Sequence, residues 1–562
     1  MFIRILSVVA GLLCYATLGL AQTSQPSFTR TDSLRGMLTP LRTCYDVTYY
    51  HLSVKVDTAT RSIEGFTTIK FNVVQDFDVL QVDLFETMKI GRILFEGNSE
   101  LQYEREHAAV FVRFPRKLKR KGMHEITIHY SGTPQEAQRP PWGGGFTWAR
   151  DGEGNPWVAV TCQGLGASSW WPNKDHQSDE PDSMMISVTV PSNLMNVSNG
   201  RLRKMEDLPD GSTRYDWFVS YPINNYNVTL NIARYARFSD VYVSGKDTLT
   251  LDYYVLPENV AKARRQFEQV KPMMKCFEHY FGPYPFVRDG YKLVESPHLG
   301  MEHQSAVAYG NNYLQGYRGR SSSEVGLMFD FIIIHETAHE WWGNSVTSND
   351  IADMWIHESF GAYAEAVYVE CLFGYHKAMQ YVNGKKWNVQ NDRPIIGTYG
   401  VHQRGSGDMY DKGQLVLNTL RHAINNDSQW WDIVKSIAQR FRYSSIDAED
   451  IFRLVNEKTK SDYTYFFEQY FKSTKPPRLE AALTKKGAAV ELRHRWVADV
   501  EDFRMPVKIT AGAGEYAFIH PTTSWQTTRL DKLNPLEFRV AEEQFYVDVR
   551  VTVQYLDPAG GH

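Results

Sequence analysis

The stretch from Phe329 to Glu358, FDFIIIHETAHEWWGNSVTSNDIADMWIHE, holds two histidines four residues apart, His335 and His339, with Glu336 between them and Glu358 nineteen residues beyond the second. Residues i and i+4 of a helix lie one above the other, so imidazoles at that spacing can converge on one ion at about 2.0–2.1 Å each. This pattern obliges the chain to form a helix here and to return a second element, carrying Glu358, to the same point. A catalytic zinc takes three protein ligands and leaves a fourth position for water, so His335, His339 and Glu358 form a candidate ligand set for one Zn2+ per chain. Glu336, rotated by about 100° from His335 on a helix of 3.6 residues per turn, flanks such an ion without ligating it and is the candidate general base. The bland alternative is a solvated helix with two ordinary histidines. A third acidic residue at a fixed place inside a second helical pattern argues against it.

Local signals predict both helices. Ser321 with Glu324 has capping-box spacing, the apolar run Leu327, Met328, Phe331 and Ile332 to Ile334 follows, and Gly343-Asn344 is the expected stop. The second helix is expected from about Trp355 to Phe373, with Glu358 near its start and an apolar face of Phe360, Tyr363, Ala364 and Val367.

The remainder of the chain is ordinary globular material. With 562 residues, 43% hydrophobic and 22% charged, it has the length for about three domains and ample core. A formal charge of −4 gives no reason to expect nucleic acid or an anionic membrane as a partner. The one basic run, Arg116 to Lys121, lies between two alternating patterns and reads as a solvated hairpin tip rather than a polyanion site. At the N-terminus Arg4 precedes an apolar stretch from Ile5 to Leu20, and Gly19-Leu20-Ala21 offers the small residues that a signal peptidase reads. Residues 1–21 are therefore expected to be a signal peptide. Cys14, preceded by Leu13, is a poor fit to a lipoprotein box. No other run approaches the ~18 apolar residues needed to span a bilayer, so the expectation is export to the periplasm or the extracellular space, soluble and without stable membrane insertion. Cys44, Cys162, Cys276 and Cys371 remain, show no C-x-x-C spacing, and are expected as buried free thiols.

Periodicity divides the chain. Alternation marks Leu52 to Val56, Ile186 to Val190 and Thr229 to Ala233, predicting a large N-terminal β domain over residues 22–240. It is interrupted by Arg139-Pro140-Pro141-Trp142-Gly143-Gly144-Gly145, read as a structural turn or lid. Helical periods follow at Val260 to Tyr280, Glu324 to Gly343, Trp355 to Phe373, Lys412 to Asn425 and Ile446 to Glu457, predicting a mainly α metal domain over 241–475. Beyond a linker at Lys475-Pro476-Pro477-Arg478, alternation returns in Phe545, Val547, Val549, Val551 and Val553, which suits a small β-sandwich over 476–562.

Several separate segments resemble the gluzincin family of zinc metallopeptidases, of the aminopeptidase N and leukotriene-hydrolase type. HETAHEWWGN and WIHE meet the family pattern H-E-x-x-H-x-W-x-G-N with W-x-x-E; Tyr410-Asp411-Lys412-Gly413 meets Y-x-K-G; Leu299-Gly300-Met301-Glu302-His303 partly meets G-x-M-E-N; and Gln163 with WWPNKDHQSDEPDS at 170–183 resembles the upstream Gln or Glu and its aromatic-Pro run. The resemblance covers roughly residues 44–475. It implies a multidomain α+β protein with a β-saddle N-terminal domain, a thermolysin-like catalytic domain and a fibronectin-like C-terminal domain, and it finds no counterpart here of the family's large helical fourth domain, which would leave the cleft open or covered by a partner subunit. It also implies roles: Tyr410 as donor to the oxyanion, Glu302 as the clamp for a free α-ammonium with Gln163 assisting, and Gly300, Met301 and His303 as the rest of the substrate-binding element. His303 and His357 stand where the family usually has Asn, and Leu299 where it has Gly. Each histidine is either a further metal ligand or a group that orients its neighbours. The activity so implied is zinc-dependent aminopeptidase action on peptide substrates, against two rivals: a zinc endopeptidase with no free-amine requirement, and a catalytically silent binding scaffold.

Overall fold

The computed structural model describes residues 28–555 apart from 488, 513 and 532. The expected signal peptide lies outside the described residues. The architecture is multidomain α+β: a β-rich N-terminal part, a mainly helical middle and a strand-built C-terminal part.

Alternation of buried and open positions along Tyr45–Asp57 makes it the central strand of an eight-stranded sheet. The order is Arg201–Asp207, Ser212–Val219, Ser183–Pro191, Tyr45–Asp57, Ser62–Val73, Met123–Gly132, Met88–Phe95 and Ser99–Glu100. Its one parallel pairing sets Leu52 opposite Ile186 and Val54 opposite Val188, which joins two of the expected strands. The basic run occupies the exposed end of Ala109–Leu118 and the turn into Met123–Gly132, where Lys119 pairs with Asp76 at 2.9 Å.

Two smaller sheets deliver functional residues. In a four-stranded sheet, Pro156–Thr161 lies between Leu230–Ala233 and Gly145–Arg150, and Gln163 follows its end directly. Strand structure continues past residue 240 into a five-stranded sheet, ordered Ala236–Ser244, Asp247–Val255, Tyr291–Glu295, Val307–Tyr309 and Gly300–Met301. Gly300–Met301 is its edge strand, and Glu302 comes next in the chain.

Trp355–Phe373 forms one helix with the bounds the sequence suggests, ended by Gly374 at φ 88°. It differs from expectation in having no solvated face. Every residue from Trp355 to Val369 is buried, because the helices Val270–Phe281, Phe331–Ala338, Tyr375–Gly384 and Asp411–Ile424 all pack around it. The expected Val260 to Tyr280 helix is two, Val260–Gln266 and Val270–Phe281, separated by a short 3-10 turn.

The C-terminal part consists of a four-stranded sheet, ordered Gln526–Leu530, Ala489–Val497, Arg478–Lys486 and Asp548–Tyr555, and the pair Val507–Gly512 with Glu515–Ile519. The final strand corrects one expectation. Phe545 and Val547, which precede the strand, are buried, but Val551 and Val553 within it are 43% and 37% exposed, and Asp548–Tyr555 is an edge strand of its sheet. Among the cysteines, Cys44, Cys162 and Cys276 are buried free thiols, whereas Cys371 is exposed.

Two apolar cores meet at a seam. One gathers residues between Cys44 and Tyr235, together with Tyr254, Leu256, Val294, Met301 and Ala308; the other is drawn from residues between Leu249 and Val547. Met301 thus anchors the strand preceding Glu302 in the N-terminal core, while the next strand's Val307 and Tyr309 belong to the other core. The candidate site lies along this seam.

Candidate active site

The helix bearing His335 is shorter than its sequence signals suggest. Glu324–Leu327 is only a 3-10 turn, and the α-helix begins at Phe331 with Asp330 as its cap, accepting from the amides of Ile332 and Ile333. Asp330 outcompetes the expected Ser321 box because Gln266, Tyr309 and Asn311 also donate to its carboxylate and hold it in place. Ala338 is the last helical residue, yet His339 keeps helical dihedrals (φ −63°, ψ −18°), so the i, i+4 stacking survives.

The Nε2 atoms of His335 and His339 are 3.3 Å apart, and Glu358 Oε2 lies 3.7 and 3.5 Å from them. Ligands 2.0–2.1 Å from a tetrahedral ion stand about 3.3–3.4 Å from one another, so this triangle is the size that a single zinc needs. The donor atoms also point correctly. His335 Nδ1 is 2.7 Å from Glu365 Oε1 and His339 Nδ1 is 2.7 Å from the Trp342 carbonyl oxygen. Both partners can only accept, so each ring carries its proton on Nδ1 and turns the Nε2 lone pair inward. The three-residue cluster contains neither His303 nor His357.

Close approach of the two helices depends on Gly361. A Cβ there would lie 2.9 Å from His339 Cε1 and 3.1 Å from its Nε2. Sequence reading missed Glu365, although it sits seven residues after Glu358 on the same helix face. Its second oxygen accepts from the Tyr381 phenol and lies 3.4 Å from Lys385 Nζ, so the partner of His335 is itself fixed.

Glu336 borders the same space. Burial pushes its carboxyl up to about 7, with His335 opposing and Glu302 adding to the rise. Tyr410 precedes the helix Asp411–Ile424, and its ring is stacked on His335 at 6.1 Å between centroids. Burial, then the neighbouring Glu358, keeps its phenol protonated, as a hydrogen-bond donor must be.

Gln163 connects two carboxylates. Its Nε2 donates to Glu302 Oε1 at 2.6 Å and to Glu358 Oε1 at 2.7 Å. Gly300 and Met301 precede Glu302 in the cavity wall, and a Cβ on Gly300 would come within 3.0 Å of Glu336 Oε1. His303 is fully buried away from the cavity, and neither ring nitrogen has a partner among the described residues. His357 is buried behind Glu302, where Ser348 and Tyr226 hold both its nitrogens.

The cavity is walled on the apolar side by Pro141, Trp142, Leu299, Tyr317, Phe331 and Ile332. The Pro/Gly loop from the N-terminal part is therefore a wall of the site. Tyr317 and Phe331 carry no local motif, and only the fold brings them here. Three carboxylates, Glu302, Glu336 and Glu358, face this confined space and favour cations within it.

A peptidase M1 N-terminal domain model matches residues 46–226, and a peptidase family M1 domain model matches 265–470. Endoplasmic reticulum aminopeptidase 1 of Homo sapiens is 22% identical over 470 residues, 80% of this chain and 49% of its own length. Leukotriene A-4 hydrolase of Xenopus laevis is 22% identical over 494 residues, 81% of this chain and 76% of its own. The chain spans less than half the length of the endoplasmic reticulum aminopeptidases it matches. Among solved structures, an alanine mutant of an M1 zinc metallopeptidase from Deinococcus radiodurans, bound to a Tyr-Ser-Ala substrate, superposes with a TM-score of 0.63 at 19% identity, covering 77% of this chain and 95% of that one. With the N-terminal and catalytic models matched in order along one polypeptide, this chain belongs to peptidase family M1.

Proposed function

We propose that the chain is a zinc-dependent aminopeptidase that hydrolyses the N-terminal peptide bond of peptides. One observation carries the reading: the buried carboxylate of Glu302 faces the same cavity as the His335, His339 and Glu358 triangle and is tied to it through one amide, that of Gln163. An anion held one residue's length from a hydrolytic centre suits a substrate's free α-ammonium. The aminopeptidases among the relatives, and the zinc metallopeptidases among the solved neighbours, support the same reading.

When bound, zinc supplies Lewis acidity that polarises a peptide carbonyl and lowers the pKa of water from 15.7 to about 7. Glu336 accepts the proton of the attacking water and returns it to the leaving amine. Tyr410 donates to the carbonyl oxygen as charge develops there, a contribution on the order of 3 kcal/mol when preorganised. Glu302 binds the ammonium, and Gln163 keeps the two carboxylates in register. The division of the chain at residues 240 and 475, and export after loss of residues 1–21, belong to the same proposal; among the described residues no helix is long and apolar enough to cross a membrane.

The test compares peptides with free and N-acetylated termini. Release of single residues from free peptides only, with Glu302→Ala weakening free-amine substrates more than blocked ones, is the expected result. Efficient cleavage of acetylated peptides would make the chain an endopeptidase, and purified protein without stoichiometric zinc would leave only the scaffold reading.

A further inference from the structure

The Glu302 carboxylate is held from behind by a chain of hydrogen bonds whose direction can be read from its far end. The backbone amide of Ser348 lies 2.9 Å from His357 Nε2. An amide can only donate, so Nε2 is the acceptor and the ring proton sits on Nδ1. His357 Nδ1 is 3.3 Å from the phenol oxygen of Tyr226, which therefore accepts from the imidazole and commits its own hydrogen to Glu302 Oε1, 3.2 Å away. All three side chains are at least 95% buried. Gly343 leaves room for the His357 ring, since a Cβ there would come within 3.1 Å of its Cγ.

The same short turn holds Glu302 a second time. Tyr226 lies in the 3-10 turn Asn225–Asn227, and Asn227 Nδ2 donates to Asn344 Oδ1 at 2.8 Å, whose own Nδ2 donates to the Glu302 carbonyl oxygen at 2.9 Å. One turn thus fixes both the backbone and the carboxylate of the residue. Tyr226 and Gln163 both donate to Oε1, and among the described residues no side chain donates to Oε2. The carboxylate is held by one oxygen and offers the other.

We propose that Tyr226, aligned by His357, is a positioning residue for the amine clamp: it fixes the rotation of Glu302 so that Oε2 is presented to the substrate's α-ammonium. This rests on the aminopeptidase reading. It also explains a departure from the family pattern, because the histidine in WIHE has its Nδ1 the same number of bonds from the backbone as the amide nitrogen of the usual Asn, and supplies the same donor.

The test uses two competitive inhibitors that differ only at the amine, an amino-acid hydroxamate and its N-acetyl derivative, measured on the zinc-loaded full chain. Tyr226→Phe is expected to weaken the free-amine hydroxamate about tenfold, the effect of losing one hydrogen bond to a charged acceptor, and to move the acetylated one by less than twofold. His357→Leu should do the same, His357→Asn should restore near wild-type discrimination, and the Tyr226→Phe/His357→Leu pair should be no worse than either alone. Equal weakening of both inhibitors, or no change in Tyr226→Phe, would overturn the proposal, as would His357→Asn behaving like His357→Leu. A wild-type protein that binds both inhibitors alike would overturn the aminopeptidase reading first, and this proposal with it. If His357→Leu fails to fold or loses zinc, Tyr226→Phe, which removes a single oxygen, still decides.

Discussion

The candidate metal side and the proposed amine side of the cavity are built in opposite ways. His335, Glu336, His339, Glu358 and the supporting Glu365 all come from one stretch, residues 331–373: the helix Phe331–Ala338, the residue that caps it and the helix Trp355–Phe373. Gln163, Tyr226 and Glu302 come from three segments far apart in the chain, and His357, next to Glu358, reaches them from the metal-side helix. The metal side is set by helix periodicity and needs the rest of the fold only for packing. The amine side exists only when the seam is assembled. Chemistry can therefore tolerate changes in the seam that recognition cannot.

The sharpest way to break this contrast is at Glu336. Glu336→Gln keeps both imidazoles and Glu358, so it should retain one zinc per chain by metal analysis while turnover falls about 10²–10⁴-fold; a variant with full activity would remove the mechanism. Tyr410→Phe should come next, lowering kcat by about 10²–10³-fold with little change in zinc content. The third probe tests how local the metal side is. Glu365→Ala leaves the His335 Nδ1 proton without its partner and should weaken zinc binding by about 10–100-fold in a chelator competition, while free-amine discrimination persists. The smallest effect is expected at Gly361. Helix propensity alone favours Gly361→Ala by about 1 kcal/mol, but the added methyl would meet the His339 ring at 2.9 Å. A net loss of roughly 1 kcal/mol in the zinc-loaded protein, by thermal denaturation, would show that the close approach outweighs propensity.

The same contrast explains what the sequence made legible. The ligand set and the Trp355–Phe373 helix were readable because periodicity is local. The start of the first helix was not: Ser321 and Glu324 satisfy a local rule, but the cap is Asp330, whose partners Gln266, Tyr309 and Asn311 are placed by tertiary structure. Val551 and Val553 alternate as a buried face would, and nothing in the strand itself says that it lies at a sheet edge. The roles proposed for Glu302, Gln163 and Tyr410 come from motif resemblance, not from spacing. Tyr226 had neither, since one tyrosine among 32 looks like packing until its phenol is seen against a carboxylate.

The double donation by Gln163 has a last consequence. A single nitrogen reaches both Glu302 and Glu358, at 2.6 and 2.7 Å, so the gap between the carboxylate that would recognise a chain end and the carboxylate that would grip the metal is gauged by one planar NH2 group. Neither can drift without breaking its bond to that nitrogen. On the aminopeptidase reading the protein counts from the end of its substrate with this gauge, and its smallest division is one amino acid.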